Sequence, residues 1–351
     1  MSDQEEFDEA ESIGWDAIDA ALVPIYGKRE PKHYGTILPA MLGGDDPLQG
    51  ISTYKNLSPQ PHYHFVTYGF SELYEKESDD PEYSGFGFEL TFRLACDESD
   101  NEEPPAWPLN FLQNLARYVF SSGNAFDERH HMTLNGPIAI GEQTDITAIV
   151  LLQDQQLKEM DTRNGHVKFL QIVGLCGDEY ELIQAGYFDP IASRVSELAP
   201  LSITDIFRPS ILEDESVRNE ITSEKPNVSQ SEVFGTIAEW KESEDQLEVR
   251  IGATVVAQLK SLMSGRLTEG EPIAVYGKGT SIVFEPGEIV AWRHEEPLML
   301  ISLSHEAVMY FADSLQPVRG IYQCVSCPSL SIHVVPVEIK DRDGEVTDTV
   351  G

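Results

Sequence analysis

Ser84-Gly85-Phe86-Gly87-Phe88-Glu89-Leu90-Thr91-Phe92-Arg93-Leu94 is the stretch on which the fold turns. From Phe86 to Leu94 every second residue is large and apolar, and Gly87, Glu89, Thr91 and Arg93 stand between them. Side chains alternate between the two faces of a strand, so the pattern predicts a half-buried strand. One face is expected to be dry and the other wet, turned to solvent or to a partner.

The segments on either side extend this reading. His62-Tyr63-His64-Phe65-Val66-Thr67-Tyr68-Gly69-Phe70 is rich in aromatic and β-branched residues and predicts a second strand. Asn110 to Ser122 follows Trp107-Pro108-Leu109 and precedes Gly123, with Leu109, Leu112, Ala116, Val119 and Phe120 at helical spacing. Pro108 suits a first helical turn and Gly123 suits a helix end. Ile13 to Leu22 predicts an earlier helix. Val167 to Leu175 is apolar at nearly every position and predicts a central strand. Asp178 to Gly186 and Asp189 to Leu198 predict two short helices.

Pro209 to Ser231 is polar, charged and free of aromatic residues, and reads as an interdomain linker. Beyond it, strands are expected at Val233–Trp240, Gln246–Ile251, Pro272–Tyr276, Ser281–Glu285, Glu288–Trp292 and Leu298–Leu303. Helices are expected at Thr254–Met263 and from an N-cap at Ser304 to Leu315. The fold class is therefore α+β, with two domains, each a mixed or mostly antiparallel sheet packed by helices. The expected division is a disordered acidic tail at 1–11, a first domain at 12–208, a linker at 209–231, a second domain at 232–338 and a frayed acidic tail at 339–351.

The chain has 351 residues and is 41% hydrophobic, enough for two ordinary cores. Its 60 acids against 24 Lys and Arg leave a net charge of −36, which repels phosphate backbones and disfavours nucleic acid. The same charge favours basic partners, although plain solubility accounts for it equally well. Without a long apolar run no helix is expected to span a membrane. The acidic start lacks the regions of a secretory signal, so a cytoplasmic chain is expected. With 4 cysteines, a reduced state is expected rather than a disulfide framework.

The candidates for chemistry are weak. Gly85-Phe86-Gly87 lies inside a strand pattern and suits a bulge better than a nucleotide loop. His62 and His64 could bind a metal with His130-His131, or could pack; no acid stands at an obvious third-ligand spacing. Cys324-Val325-Ser326-Cys327, with His333 beyond it, is a single C-x-x-C without the second pair that structural zinc usually wants. Neither a nucleophile elbow, a P-loop, a metalloprotease motif nor a calcium loop is present. The expectation is a non-enzymatic protein without metal or cofactor. The alternative is a hydrolase or zinc protein of unrecognised type using Cys324, Cys327 and the histidines. Tyr63, Tyr68 and Tyr74, amid Glu72, Glu75, Glu77, Asp79 and Asp80, are candidates for an exposed recognition face, or pack the domain edge.

Five blocks carry a resemblance: Pro61–Tyr74, Ser84–Leu94, Leu115–Phe120, Lys168–Cys176 and Ile203–Arg208. Together they resemble the Suppressor of fused family, with fainter echoes at Ser264–Leu267, Ser281–Phe284 and Pro297–Leu303. The resemblance implies a binding module that clamps an extended peptide between two domains by strand addition, as animal members do to Gli transcription factors in Hedgehog signalling. It places Tyr118 and Phe126 at aromatic positions of that clamp. His130 falls where the family has an acid, so Gli binding is not carried across. The compact second half is similar to bacterial members, which implies an immunity protein neutralising a basic toxin domain. A monomer is expected.

Overall fold

A computed structural model describes residues 12–36, 46–134, 136–223, 232–243, 245–295, 297–340 and 346–351. The tail at 1–11 and residues 224–231 and 341–345 lie outside them. In chain order the first half contains α1 (Ile13–Tyr26), β1 (Lys32–Gly35), β2 (Gly50–Asn56), β3 (His62–Tyr68), β4 (Tyr83–Ala95), α2 (Trp107–Ser122), β5 (His131–Thr133), β6 (Ile146–Gln153), β7 (Met160–Thr162), β8 (Gly165–Cys176), α3 (Gly177–Gln184) and α4 (Phe188–Glu197). Next come α5 (Glu215–Ser223), β9 (Glu232–Phe234), β10 (Ala238–Ser243), β11 (Gln246–Gly252), α6 (Val256–Leu262), β12 (Ile273–Tyr276), β13 (Ser281–Pro286), β14 (Ala291–Glu295) and β15 (Leu298–Leu303). The chain continues through α7 (His305–Ser314), β16 (Gly320–Gln323), β17 (Leu330–Val335), β18 (Val337–Lys340) and β19 (Val346–Val350).

The architecture is α+β in two compact units. The first comprises Met1–Phe120, Ala125–Gly177 and Ala192–Ser210; the second comprises Ser121–Asn124, Asp178–Ile191 and Ile211–Gly351. In the first unit the strands run in the order β1-β2-β3-β4-β8-β6-β5, with β7 pairing β8. All pairs are antiparallel except β4 with β8. The β4–β8 register shifts between Tyr83 and Phe88, where Gly85 and Gly87 take φ of 57° and 79°. A Cβ on Gly85 would stand 2.6 Å from the Phe70 carbonyl oxygen, so the bulge expected of these glycines is required here.

Two layers of apolar side chains sandwich this sheet. On one side Phe111, Leu112, Leu115, Ala116 and Val119 of α2 pack with Phe65, Phe88, Leu90, Phe92, Leu94 and Ile172. On the other, Ile18 and Leu22 of α1 pack with Tyr54, Val66, Tyr68, Leu73, Leu157 and Phe169. The second layer corrects the expected wet face of β4. Glu89, Thr91 and Arg93 are all 0% exposed. They alternate with the apolar residues as the sequence indicated, but the side they occupy is covered rather than solvated. Tyr63 and Tyr68 are corrected with them: both are buried, whereas Tyr74 is exposed.

The second unit distributes its strands over two mixed sheets, β10-β11-β17-β16 and β14-β15-β13-β12-β9, with β18 and β19 forming a separate ribbon. Their inner faces share one core with α6 and α7, including Val249, Ile251, Leu259, Phe284, Ile301 and Phe311. Ser304 caps α7, its hydroxyl accepting from the Ala307 N–H at 3.3 Å. The polar stretch at 209–231 is not all linker, since α5 lies within it and buries Ile221. The expected strand Val233–Trp240 is two strands, β9 and β10, and Glu288–Trp292 is displaced to β14. β6 and β17 had no counterpart in the sequence reading.

Candidate functional site

The covered face of β4 holds a buried polar network. Arg93 Nη1 donates to Asp154 Oδ2 at 2.5 Å and to Gln171 Oε1 at 2.6 Å, and its Nη2 donates to Asp154 Oδ1 at 3.1 Å. The Thr91 hydroxyl donates to the same carboxylate at 2.6 Å, and the backbone N–H groups of Gln156 and Leu157 close on Oδ1. Burial raises the Asp154 pKa, but the Arg93 guanidinium outweighs it and holds the carboxyl well below the usual range. A buried charge is tolerated when it is paired and hydrogen-bonded in this way.

Glu89, on the same face, accepts from Thr67 Oγ1, Ser71 Oγ and the N–H groups of Gly69 and Ser71 at 2.6 to 2.9 Å. Burial pushes its carboxyl up to about 7 against those donors. The bonds tie β4 to the turn that follows β3. Sequence reasoning missed Asp154 and Gln171. The available signal was polar residues at matching parity in several predicted strands, His64 in β3, Arg93 in β4 and Gln171 in β8.

The histidines do not form a metal centre. His62 and His64 are buried packed residues; His62 Nδ1 lies 2.7 Å from the Gln60 carbonyl oxygen and His64 Nδ1 lies 2.6 Å from the Tyr26 hydroxyl. Among the described residues no group of three or more His, Cys, Asp or Glu side chains could hold a metal ion. Cys324 and Cys327 are free, buried thiols in the turn between β16 and β17. Burial, together with the neighbouring Cys324 sulfur, pushes the Cys327 thiol up to about 12. A thiol held that high has little thiolate to act as a nucleophile.

The surface candidates gather at the C-terminal end of α2. The Phe120 ring meets Phe86 edge-on at 4.9 Å and lies 6.1 Å from Phe70. Tyr118 stacks on Phe126 at 5.8 Å, and Phe126 lies 5.9 Å from Phe88. Phe120 is 45% exposed. The tight segment from Asp127 to His130 then leads into β5, the last strand of the sheet order. The Asp127 N–H donates to His130 Nδ1 at 3.0 Å, and Lys168 donates to Asp127 Oδ1 at 2.9 Å. Arg129 takes φ of 71° there. Tyr118, Phe126 and His130 thus fall in one neighbourhood, whereas Tyr63 and Tyr68 belong to the interior. The sequence reading had placed Phe120 only as a helix position.

A sealed polar interior and an aromatic ledge at the rim of a mixed sheet define a scaffold suited to protein recognition. Comparison with known proteins places it more closely. Residues 44–209 match the family model described as Suppressor of fused protein (SUFU), and this segment belongs with the Suppressor of fused family. It is 40% identical to the human Suppressor of fused homolog over 166 residues, which are 44% of this chain and 34% of that protein. The chain thus matches about a third of that relative's length. The crystal structure of Drosophila Suppressor of Fused aligns with a TM-score of 0.67 at 20% identity, covering 92% of this chain and 97% of that one, and shares its fold. A chain of the Sufu–Fu complex crystal structure aligns with a TM-score of 0.54 at 29% identity, covering 59% of this chain and 96% of that one.

Proposed function

We propose that the chain is a non-enzymatic binding module that takes up an extended segment of a basic polypeptide at the aromatic ledge. The single observation that carries this is the exposed Phe120 ring, edge-on to Phe86 at the end of α2, the helix whose Tyr118 stacks on Phe126. Rigid aromatic side chains are the usual anchors of protein interfaces, and an added strand supplies main-chain hydrogen bonds. A net charge of −36 steers basic partners and repels acidic ones. His130 at the family's acidic position supports a different ligand from that of the animal proteins. The Sufu–Fu complex provides a precedent for a polypeptide partner. The finer reading has the partner clamped between the two domains, with the module acting in the cytoplasm as a monomeric immunity protein that neutralises a toxin domain.

Affinity capture with the wild-type chain and with Phe120→Asp tests the ledge. The expected result is one basic polypeptide held by the wild type and lost from the variant, with unchanged unfolding of the variant. Retention by a folded Phe120→Asp chain removes the ledge from the proposal. A toxin gene adjacent to the gene for this chain would support the immunity role.

A further inference from the structure

We propose that α1 is an acid-released cover over the polar face of the first unit's sheet, latched by the contact between Tyr26 and His64. α1 makes no strand ladder with the sheet. Its backbone attachment is at its start, where the Gly14 and Trp15 N–H groups donate to the Leu73 carbonyl at 2.9 and 3.3 Å. Ile18 and Leu22 supply the apolar stripe, and Asp19 accepts from the Tyr68 hydroxyl at 2.7 Å. At the far end Tyr26 stacks on Tyr54 at 3.7 Å, and its hydroxyl lies 2.6 Å from His64 Nδ1.

The geometry around that hydroxyl sets the direction of the bond. Asn56 Nδ2 donates to it at 3.1 Å, and we assign the ring proton to Nε2, which faces the Asp154 carboxylate, so that the hydroxyl donates to Nδ1. That Nε2 is buried with no hydrogen-bond partner and is 3.8 Å from Asp154 Oδ2. Adding a proton to the ring places an N–H on Nδ1, so the Tyr26 hydroxyl must turn to accept it and its own proton loses the Nδ1 acceptor. It also adds a second cation beside Arg93, facing a carboxylate that Arg93 already neutralises. The groups facing His64 are Tyr26 from α1, Arg93 from β4, His62 from its own strand and Asp154 from the segment after β6. Burial, followed by the Arg93 charge, keeps His64 neutral well below the usual histidine range.

Strands β3, β4 and β8 are paired on both sides, so the element able to yield is the helix. Stability held by a neutral buried histidine is present above the unfolded value and lost as pH falls below it, because the open state takes up the proton.

Hydrogen exchange on the intact chain at pH 7.5, 6.5 and 5.5, corrected for intrinsic exchange chemistry, tests the proposal. The opening of α1 amides is expected to rise by up to about tenfold per pH unit below 6.5, the slope of one linked proton, while β8 amides keep their protection. His64→Asn, which keeps an acceptor near Nδ1, is expected to abolish the dependence. His62→Asn and His33→Asn should retain it; His33 lies against Trp15 of α1 with ring centroids 5.0 Å apart. A pH-independent α1 in the wild type overturns the proposal. So does equal loss of protection in β8, which would mean global unfolding, or a dependence that follows His33 or His62. The wild-type measurement decides even if His64→Asn does not fold.

Discussion

Arg93 keeps a fully buried guanidinium whose two terminal nitrogens donate to Asp154 and Gln171 while its Nε–H has no partner. Removing one member of a buried pair leaves the other without compensation. Asp154→Asn is therefore expected to cost about 3–5 kcal/mol in denaturant-induced unfolding, far beyond an ordinary surface change. Glu89 is a separate case with the opposite pH sign. Its carboxyl is raised to about 7 in the folded chain, so its ionisation opposes folding, and stability is lost as pH rises from the unfolded value towards 7. The stability difference between wild type and Glu89→Gln should change across pH 4.5 to 7 and be constant above it. A flat difference across that window would show that the four donors hold Glu89 ionised throughout.

The position of α1 depends on a close approach at its first turn. A Cβ on Gly14 would stand 2.1 Å from the Glu72 carbonyl oxygen. Alanine is the better helix former by about 1 kcal/mol, so propensity alone favours Gly14→Ala. The clash outweighs it, and Gly14→Ala is expected to lower Tm and to increase exchange of α1 amides. Elements with a complete local signature were legible in advance. α2 has its Pro108 start and apolar spacing, α7 has Ser304, and β4 and β8 have their apolar runs. β6 and β17 had no counterpart in the sequence reading although turn residues bound both, Asp145 and Asp154 at the one and Pro328 and Pro336 at the other, and α5 was hidden by polarity because one buried residue, Ile221, fixes its inner face. The ledge was half legible. Tyr118 and Phe126 came from family resemblance, but exposure at Phe120 depends on where the helix ends above the sheet.

At the scale of the whole molecule, 60 acids against 24 Lys and Arg act chiefly on encounter with other molecules. Association with a basic polypeptide is expected to slow and weaken steeply between low and physiological salt, the change appearing mainly in the on-rate. Salt-independent binding would place the interaction on apolar contacts alone. Alternation and helical spacing, carried by covalent order, determined the α+β class and the existence of β4, β8 and α2, and composition set the net charge. Local pattern reports which side chains share a face, not what lies against that face. Only tertiary structure decided that the polar side of β4 is covered, that Tyr63 and Tyr68 are interior, and that Arg93 meets Asp154 sixty-one residues away. Burial is set by contacts distant in sequence, and no window along the chain contains them.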